Sequence, residues 1–372
     1  MKEKSDNRSS NFELLRVLAM VMIIIHHIFV HCINIQLTDY SSMTRMDNGY
    51  FNNPIIFKRL WLSDFGSFFG PLGNAIFVLI SGYFLVQKEN VNMVKISKKL
   101  LSQLAFASVA LIGGSFLWYR LTKLEVGRYV GLADISNFNT MSWYVGYYFM
   151  IILIGKLFLN SWLSKLDFKQ YSEFLLIIFA MVEFGWTGAL LDGLIPGLRT
   201  LGTGIFLYSF SGYIKKYDPL RRIKLPFIVL GGLFVICLIC LSAYNVRSLS
   251  MENFEKFGGK IYIQVVTEYS NWHVLVIISG IMLFELFRRM KTFSSRIINF
   301  LGSSTFMIYL IHDNGVFYSL WEKTDWIYYW YNSTATFVIN ILKYAGLTFL
   351  IGVVAYIIYS CIDRVMYLKN RT

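Results

Sequence analysis

The chain has 372 residues, with 35 Lys and Arg against 22 Asp and Glu for a formal charge of +13, yet only 15% of its residues are charged while 56% are hydrophobic. A soluble chain carries about 25% charged residues on a mixed-charge surface, so this composition excludes a soluble enzyme, a disordered chain and a collagen-like chain. Nucleic acid is excluded as a partner too, because the basic residues fall between long apolar runs and do not cluster on a polar domain; the class that remains is a polytopic membrane protein.

Runs able to cross about 30 Å of hydrocarbon predict an all-α fold of ten transmembrane helices, at 14–35, 70–86, 100–118, 142–159, 171–187, 199–214, 225–244, 271–287, 301–320 and 336–360. The stretch 186–199 reads as an external turn or a re-entrant break. Counted between these spans, 23 of the 35 basic residues fall on the side of the N-terminus. The positive-inside rule then puts both termini in the cytoplasm. The expectation is a single transmembrane domain over 1–372, with cytoplasmic tails at 1–10 and 361–372 and no further soluble domain. The first apolar run contains His26, His27 and His31 and no small-residue cleavage site, so it reads as an uncleaved span. No internal repeat of the kind that builds transporters is visible. Cys32, Cys237, Cys240 and Cys361 have neither disulfide nor zinc spacing and read as small apolar packing residues. No metal is expected.

In chain order, Ser10-Asn11-Phe12-Glu13 has capping-box spacing and predicts a helix starting at Asn11. Arg16 and His27 then lie on one face of that helix, about 20° from three whole turns and about 16 Å apart along the axis. His31 continues the stripe, and His26 points about 100° away. An ionisable side chain inside a span is costly and marks a functional position by default. Arg16 serves either as an interfacial anchor that snorkels or as the holder of a phosphate or carboxylate. His27 is too short to snorkel, and is either a satisfied histidine in the bundle or a group that accepts and delivers a proton.

Farther along, Asp64 with Trp61, Phe65, Phe68 and Phe69 reads as an external segment suited to stacking on a sugar or to an interfacial aromatic belt. Lys95, Lys98 and Lys99 form a basic loop after the second span, either ordinary inside charges or phosphate binders. Glu183 is the most deeply membrane-buried acid of the span assignment, and Arg199 stands outside before the sixth span, against an acceptor or a lipid phosphate. His273 and Glu285 fall near span ends and are expected to face water. His312 and Asp313 fall toward the external end of the ninth span.

Asn11-Phe12-Glu13-Leu14-Leu15-Arg16, ten residues and then His27 resemble the opening of the acyltransferase-3 family, bacterial membrane proteins that O-acylate extracytoplasmic sugars. Two more segments are similar to family motifs: Phe77-Val78-Leu79-Ile80-Ser81-Gly82-Tyr83-Phe84, and the run from Gly302 to Tyr309-Leu310-Ile311-His312. Trp143-Tyr144 and Phe210-Ser211-Gly212-Tyr213 resemble weaker ones. The resemblance covers essentially the whole chain.

It implies a multi-pass O-acetyltransferase of the bacterial plasma membrane, surrounded by lipid and working beside glycan-synthesis proteins. The donor would be cytoplasmic acyl-CoA, usually acetyl-CoA, and the acceptor a hydroxyl of an extracytoplasmic glycan. His27 would be the base or a transient acyl carrier, with Arg16 positioning the donor. Lys95 and Lys98 stand where family members often have Arg-x-x-Arg, and lysine binds phosphate as a point charge without the bidentate fork. His312, Arg199 and Tyr309 would meet the acceptor. Acetyl and succinyl donors are equally compatible with these residues. From a different class, a transporter or flippase for a lipid-linked sugar or small anion would use the same His and Arg for proton coupling. Release of free CoA separates the two.

Overall fold

A computed structural model describes residues 9–38, 59–88, 91–123, 143–183, 197–256 and 267–369. Among these the regular structure is helical throughout, with no strand, as the apolar runs require. Helix α1 (Ser10–Ile28) passes through a π turn, Phe29–Ile33, into α2 (Asn34–Thr38). Then follow α3 (Leu60–Leu85), α4 (Met93–Thr122), and α5 (Trp143–Ile154), which continues through a second π turn, Gly155–Leu159, into α6 (Asn160–Lys165). The next are α7 (Phe168–Glu183), α8 (Leu198–Tyr217), α9 (Leu225–Lys256), α10 (Val274–Arg289) and α11 (Arg296–His312). Two short helices, α12 (Gly315–Glu322) and α13 (Trp326–Asn332), lead to α14 (Thr334–Lys369).

Each of the ten apolar runs overlaps a helix. Among the described residues, six helical stretches are long and apolar enough to cross a membrane: Ser10–Leu37, Leu60–Leu85, Met93–Thr122, Trp143–Lys165, Leu225–Leu249 and Thr334–Met366. The ninth run is not continuous: α11 stops at His312, and Asn314 caps a separate α12 by accepting from the amides of Val316 and Phe317. Helix α3, which holds the second run, begins at Leu60, ten residues before the predicted start, and so carries Asp64 and Phe68 inside the bundle. The 186–199 stretch lies largely outside the described residues.

Helices α1 and α3 form the centre, since α1 packs on α3, α11 and α14 while α3 also packs on α8, α9 and α10. Small residues let the backbones approach, the usual solution where lipid supplies no hydrophobic drive to association. A Cβ at Gly73 would meet the Ala19 carbonyl of α1, and one at Gly82 would overlap Tyr208 and Ser211 of α8. The predicted capping box does not form. Glu13 accepts from Arg16, and Ser10 and Asn11, both buried, turn toward residues 290–299. Ser10 Oγ donates to Asn299 Oδ1 at 2.7 Å and accepts from the Ser295 amide, while Asn11 Nδ2 donates to the Met290 carbonyl at 2.9 Å. The polar start of α1 is thus a clasp on the α10–α11 connection.

Glu285 is also a correction to the sequence reading: it is 1% exposed and paired with Arg288 and Arg289, and Arg288 reaches on to Asp218. The hydrogen bonds from Glu285 and then Asp218 push the Arg288 pKa up, so the buried carboxylate is neutralised as burial demands. All four cysteines are free thiols.

Candidate active site

The π turn after α1 widens the helix at His31, a distortion that recurs at functional sites. It sets the His31 ring flat on Tyr318 of α12, with centroids 3.8 Å apart and planes at 15°. One turn earlier, His27 Nδ1 lies 3.0 Å from His312 Nε2 at the end of α11. Where the backbone leaves α11, Asp313 brings Oδ1 to 3.6 Å from the same His27 nitrogen. Asp313 accepts a hydrogen bond from the Tyr318 hydroxyl, and the Tyr309 hydroxyl lies beside it as well. His312 and Asp313 are 0% and 3% exposed, while His27 and His31 are half-buried, so the cluster is buried on the α11 side and keeps partial access to solvent through the two α1 histidines.

The protons can be placed from the partners. His312 Nδ1 is 2.8 Å from the Ile308 carbonyl, which can only accept, so Nδ1 carries the hydrogen and Nε2 keeps its lone pair. That lone pair takes the Nδ1 hydrogen of His27. The remaining nitrogen of His27, Nε2, is therefore left as the basic atom. A ring charged there finds the Asp313 carboxylate close to its other nitrogen.

His27 lines a cavity of about 140 Å³, together with His26, Asn74, Trp143, Tyr144 and Tyr309. The wall is aromatic with a few amides and hydroxyls, the character expected of a small-molecule site. Tyr144 donates to the Asn74 carbonyl at 3.3 Å, and Asn74 Nδ2 donates to Asn271 Oδ1, also of the cavity wall, at 3.1 Å. His26 is in this wall although it diverges from the His27 stripe. Its Nδ1 donates to the Gly66 carbonyl at 3.2 Å, and its ring lies where a Cβ on Gly70 would sit. Helical spacing alone misses it because α3 wraps α1 so closely that two adjacent positions open on one space.

The other candidates separate. Arg16 is half-buried and held by Glu13 at 2.9 Å, and Glu13 presses against Gly302 of α11. Lys95 and Lys98 are exposed in the first turns of α4, and no hydrogen bond or ion pair joins them to Arg16 among the described residues. Near Arg16, Phe12 meets Tyr83 at 5.5 Å, and Lys215 lies 5.4 Å over the other side chain of that pair, Tyr83. Burial, then the nearby Lys88 charge, lowers the Lys215 pKa.

Arg199 donates to the Val182 and Glu183 carbonyls that end α7, and lies 5.0 Å over Trp272, the residue next to Asn271. Glu183 is half-buried there, whereas Asp64, Glu13 and Asp313 are buried within the protein. Asp64 is 1% exposed and Phe68 packs on Tyr269, so the external sugar platform does not form as drawn; Trp61 alone of that set is exposed and Phe65 and Phe69 are half-buried. His273 caps α10 by accepting from the Leu275 amide.

The acyltransferase-3 family model, described as an acyltransferase domain, matches residues 9–360, and the chain belongs to that family. No curated protein and no solved structure matches the chain.

Proposed function

For a chain of this acyltransferase family, we propose transfer of an acetyl group from cytoplasmic acetyl-CoA to a sugar hydroxyl of a cell-surface polysaccharide, with His27 Nε2 as the base. The observation that carries this reading is the Ile308–His312–His27 relay, which leaves Nε2 unprotonated on a ring that lines the cavity. The acceptor hydroxyl gives its proton to Nε2 as its oxygen attacks the thioester carbon. The charged imidazole is stabilised through Nδ1 by His312 and Asp313, the role the third member plays in a catalytic triad. The C–S bond then breaks and the thiolate of CoA leaves. Tyr309, Asn74 and Asn271 are the neutral donors of the cavity wall available to the oxyanion as it forms. The aromatic wall, Trp143 above all, suits the apolar face of a sugar ring.

In this reading the ten helical segments all span the bacterial plasma membrane, both termini are cytoplasmic, and the Arg16 end of α1 meets the donor. Arg16, with Lys88 and Lys215 near Tyr83, is a positive end suited to the phosphates of CoA, and the exposed Lys95 and Lys98 add to it. Arg199 and His312 act on the acceptor side by position, Arg199 through Trp272 and His312 through His27.

The test is CoA release by the purified protein given acetyl-CoA and an oligosaccharide acceptor, with acetyl incorporation followed in parallel. Stoichiometric CoA and acetyl-sugar are expected, and both are lost in His27→Gln. Movement of a labelled sugar across vesicles with no CoA release would establish the transporter instead.

A further inference from the structure

We infer that His27, His31 and Asp313 form a site for a divalent transition-metal ion of the zinc type, and that filling it switches off the base. One ligand atom from each of the three lies within 4.8 Å of the others, and the His27 Nδ1 to Asp313 Oδ1 separation is 3.6 Å. A tetrahedral ion with bonds of about 2.0–2.1 Å has ligand-to-ligand edges of about 3.3–3.4 Å, so small side-chain rotations close the set. Two imidazoles and a carboxylate are a donor set that such ions prefer.

The surroundings are those of a built site. Tyr318 orients two of the three ligands at once, stacking on His31 and donating to Asp313. His312 borders the site as a neighbour of one ligand: its Nδ1 hydrogen is spent on the Ile308 carbonyl and its Nε2 lies 3.0 Å from His27 Nδ1.

The consequence for catalysis follows from proton balance. With the site empty, the one hydrogen of neutral His27 is on Nδ1 and Nε2 is basic. An ion takes the Nδ1 lone pair, so that hydrogen moves through solvent to Nε2, and no proton is gained or lost. The ring then has no lone pair left to accept a proton from a sugar hydroxyl. The inhibition rests on the acyl-transfer reading above; the binding does not.

The experiment uses the full chain, purified in detergent with any polyhistidine tag removed. Cobalt(II) titration is expected to give visible ligand-field bands saturating near one equivalent and bleached by zinc. Zinc is expected to inhibit CoA release, and a chelator to restore it. Scored against its own zinc-free rate, His31→Gln should need at least about tenfold more zinc than the wild type for half inhibition, and Tyr318→Phe should weaken cobalt binding about tenfold. The inference is overturned if the wild type gives no bands, if His31→Gln is as zinc-sensitive as the wild type, or if zinc raises the rate. A chain that binds cobalt and releases no CoA under any condition overturns the acyl-transfer reading and leaves the metal site standing.

Discussion

Helices α3 and α9 are both apolar and both long enough to span a bilayer, yet 72% of the apolar stretch of α3 is buried against 17% of that of α9. The more buried helix is the less apolar one. It carries Ser63, Asp64, Ser67, Asn74 and Ser81 and the glycines at 66, 70, 73 and 82. The exposed helix presents Phe227, Leu230, Leu233 and Phe234 outward. In a bilayer the solvent is as apolar as leucine, so hydrophobicity selects the periphery, and close packing and hydrogen bonds select the centre. The residues proposed to carry the chemistry belong to the central class: His26, His27, Asn74, Tyr309 and His312 all lie on α1, α3 or α11.

The largest expected effect of this division is on catalysis. If His27 is the base, as proposed, His27→Ala should lower CoA release roughly 10²–10⁴-fold while the protein still inserts and purifies. An unchanged rate would detach the cavity from the reaction. His312→Ala takes away the acceptor that fixes the His27 tautomer, and a fall near the lower end of that range, about 10²-fold, is expected in kcat. If KM rises at constant kcat, His312 binds the acceptor and does not orient His27.

Smaller effects should separate centre from periphery by stability. Gly82→Ala forces a methyl into Tyr208 and Ser211 of α8, with an expected cost of about 1–3 kcal/mol. Gly232→Ala on α9 meets nothing within 4 Å and should be neutral or stabilising by up to about 1 kcal/mol through helix propensity. Thermal unfolding of the two variants in detergent checks the sign of each. Equal losses would mean that the periphery is as tightly packed as the centre. Leu233→Ala, at a position 52% exposed, should stay within about 0.5 kcal/mol of the wild type by the same measurement.

The helices were legible in the sequence because membrane spans advertise themselves by length and apolarity: each of the ten runs overlaps a helix, and six helical stretches among the described residues are long and apolar enough to cross a membrane. His27 and His312 were legible for the same reason, as ionisable groups inside apolar runs. The break at Asp313 and Asn314 was not, because an apolar window averages over the two polar residues that end α11 and cap α12. Asp64 and Glu285 were misplaced outside since window reading assigns a charge near a run's end to water. Here Asp64 lies within the longer α3, and Glu285 is neutralised by Arg288 and Arg289. Polar side chains that act across helices were the least visible. The clasp of Ser10 and Asn11 on residues 290–299 mimicked a cap, and the convergence of His26, Asn74 and Asn271 on one cavity depends on glycines letting α3 close over α1.

The coupling between His27 and His312 is open to a double-mutant cycle on kcat/KM for acetyl transfer, using His27→Gln, His312→Gln and the pair. If His312 acts by holding the Nδ1 hydrogen of His27, the double variant is no slower than His27→Gln alone, because the second substitution has nothing left to orient. Losses that multiply, with the double variant slower than His27→Gln by the full factor of His312→Gln, would contradict the relay and give the two histidines independent roles.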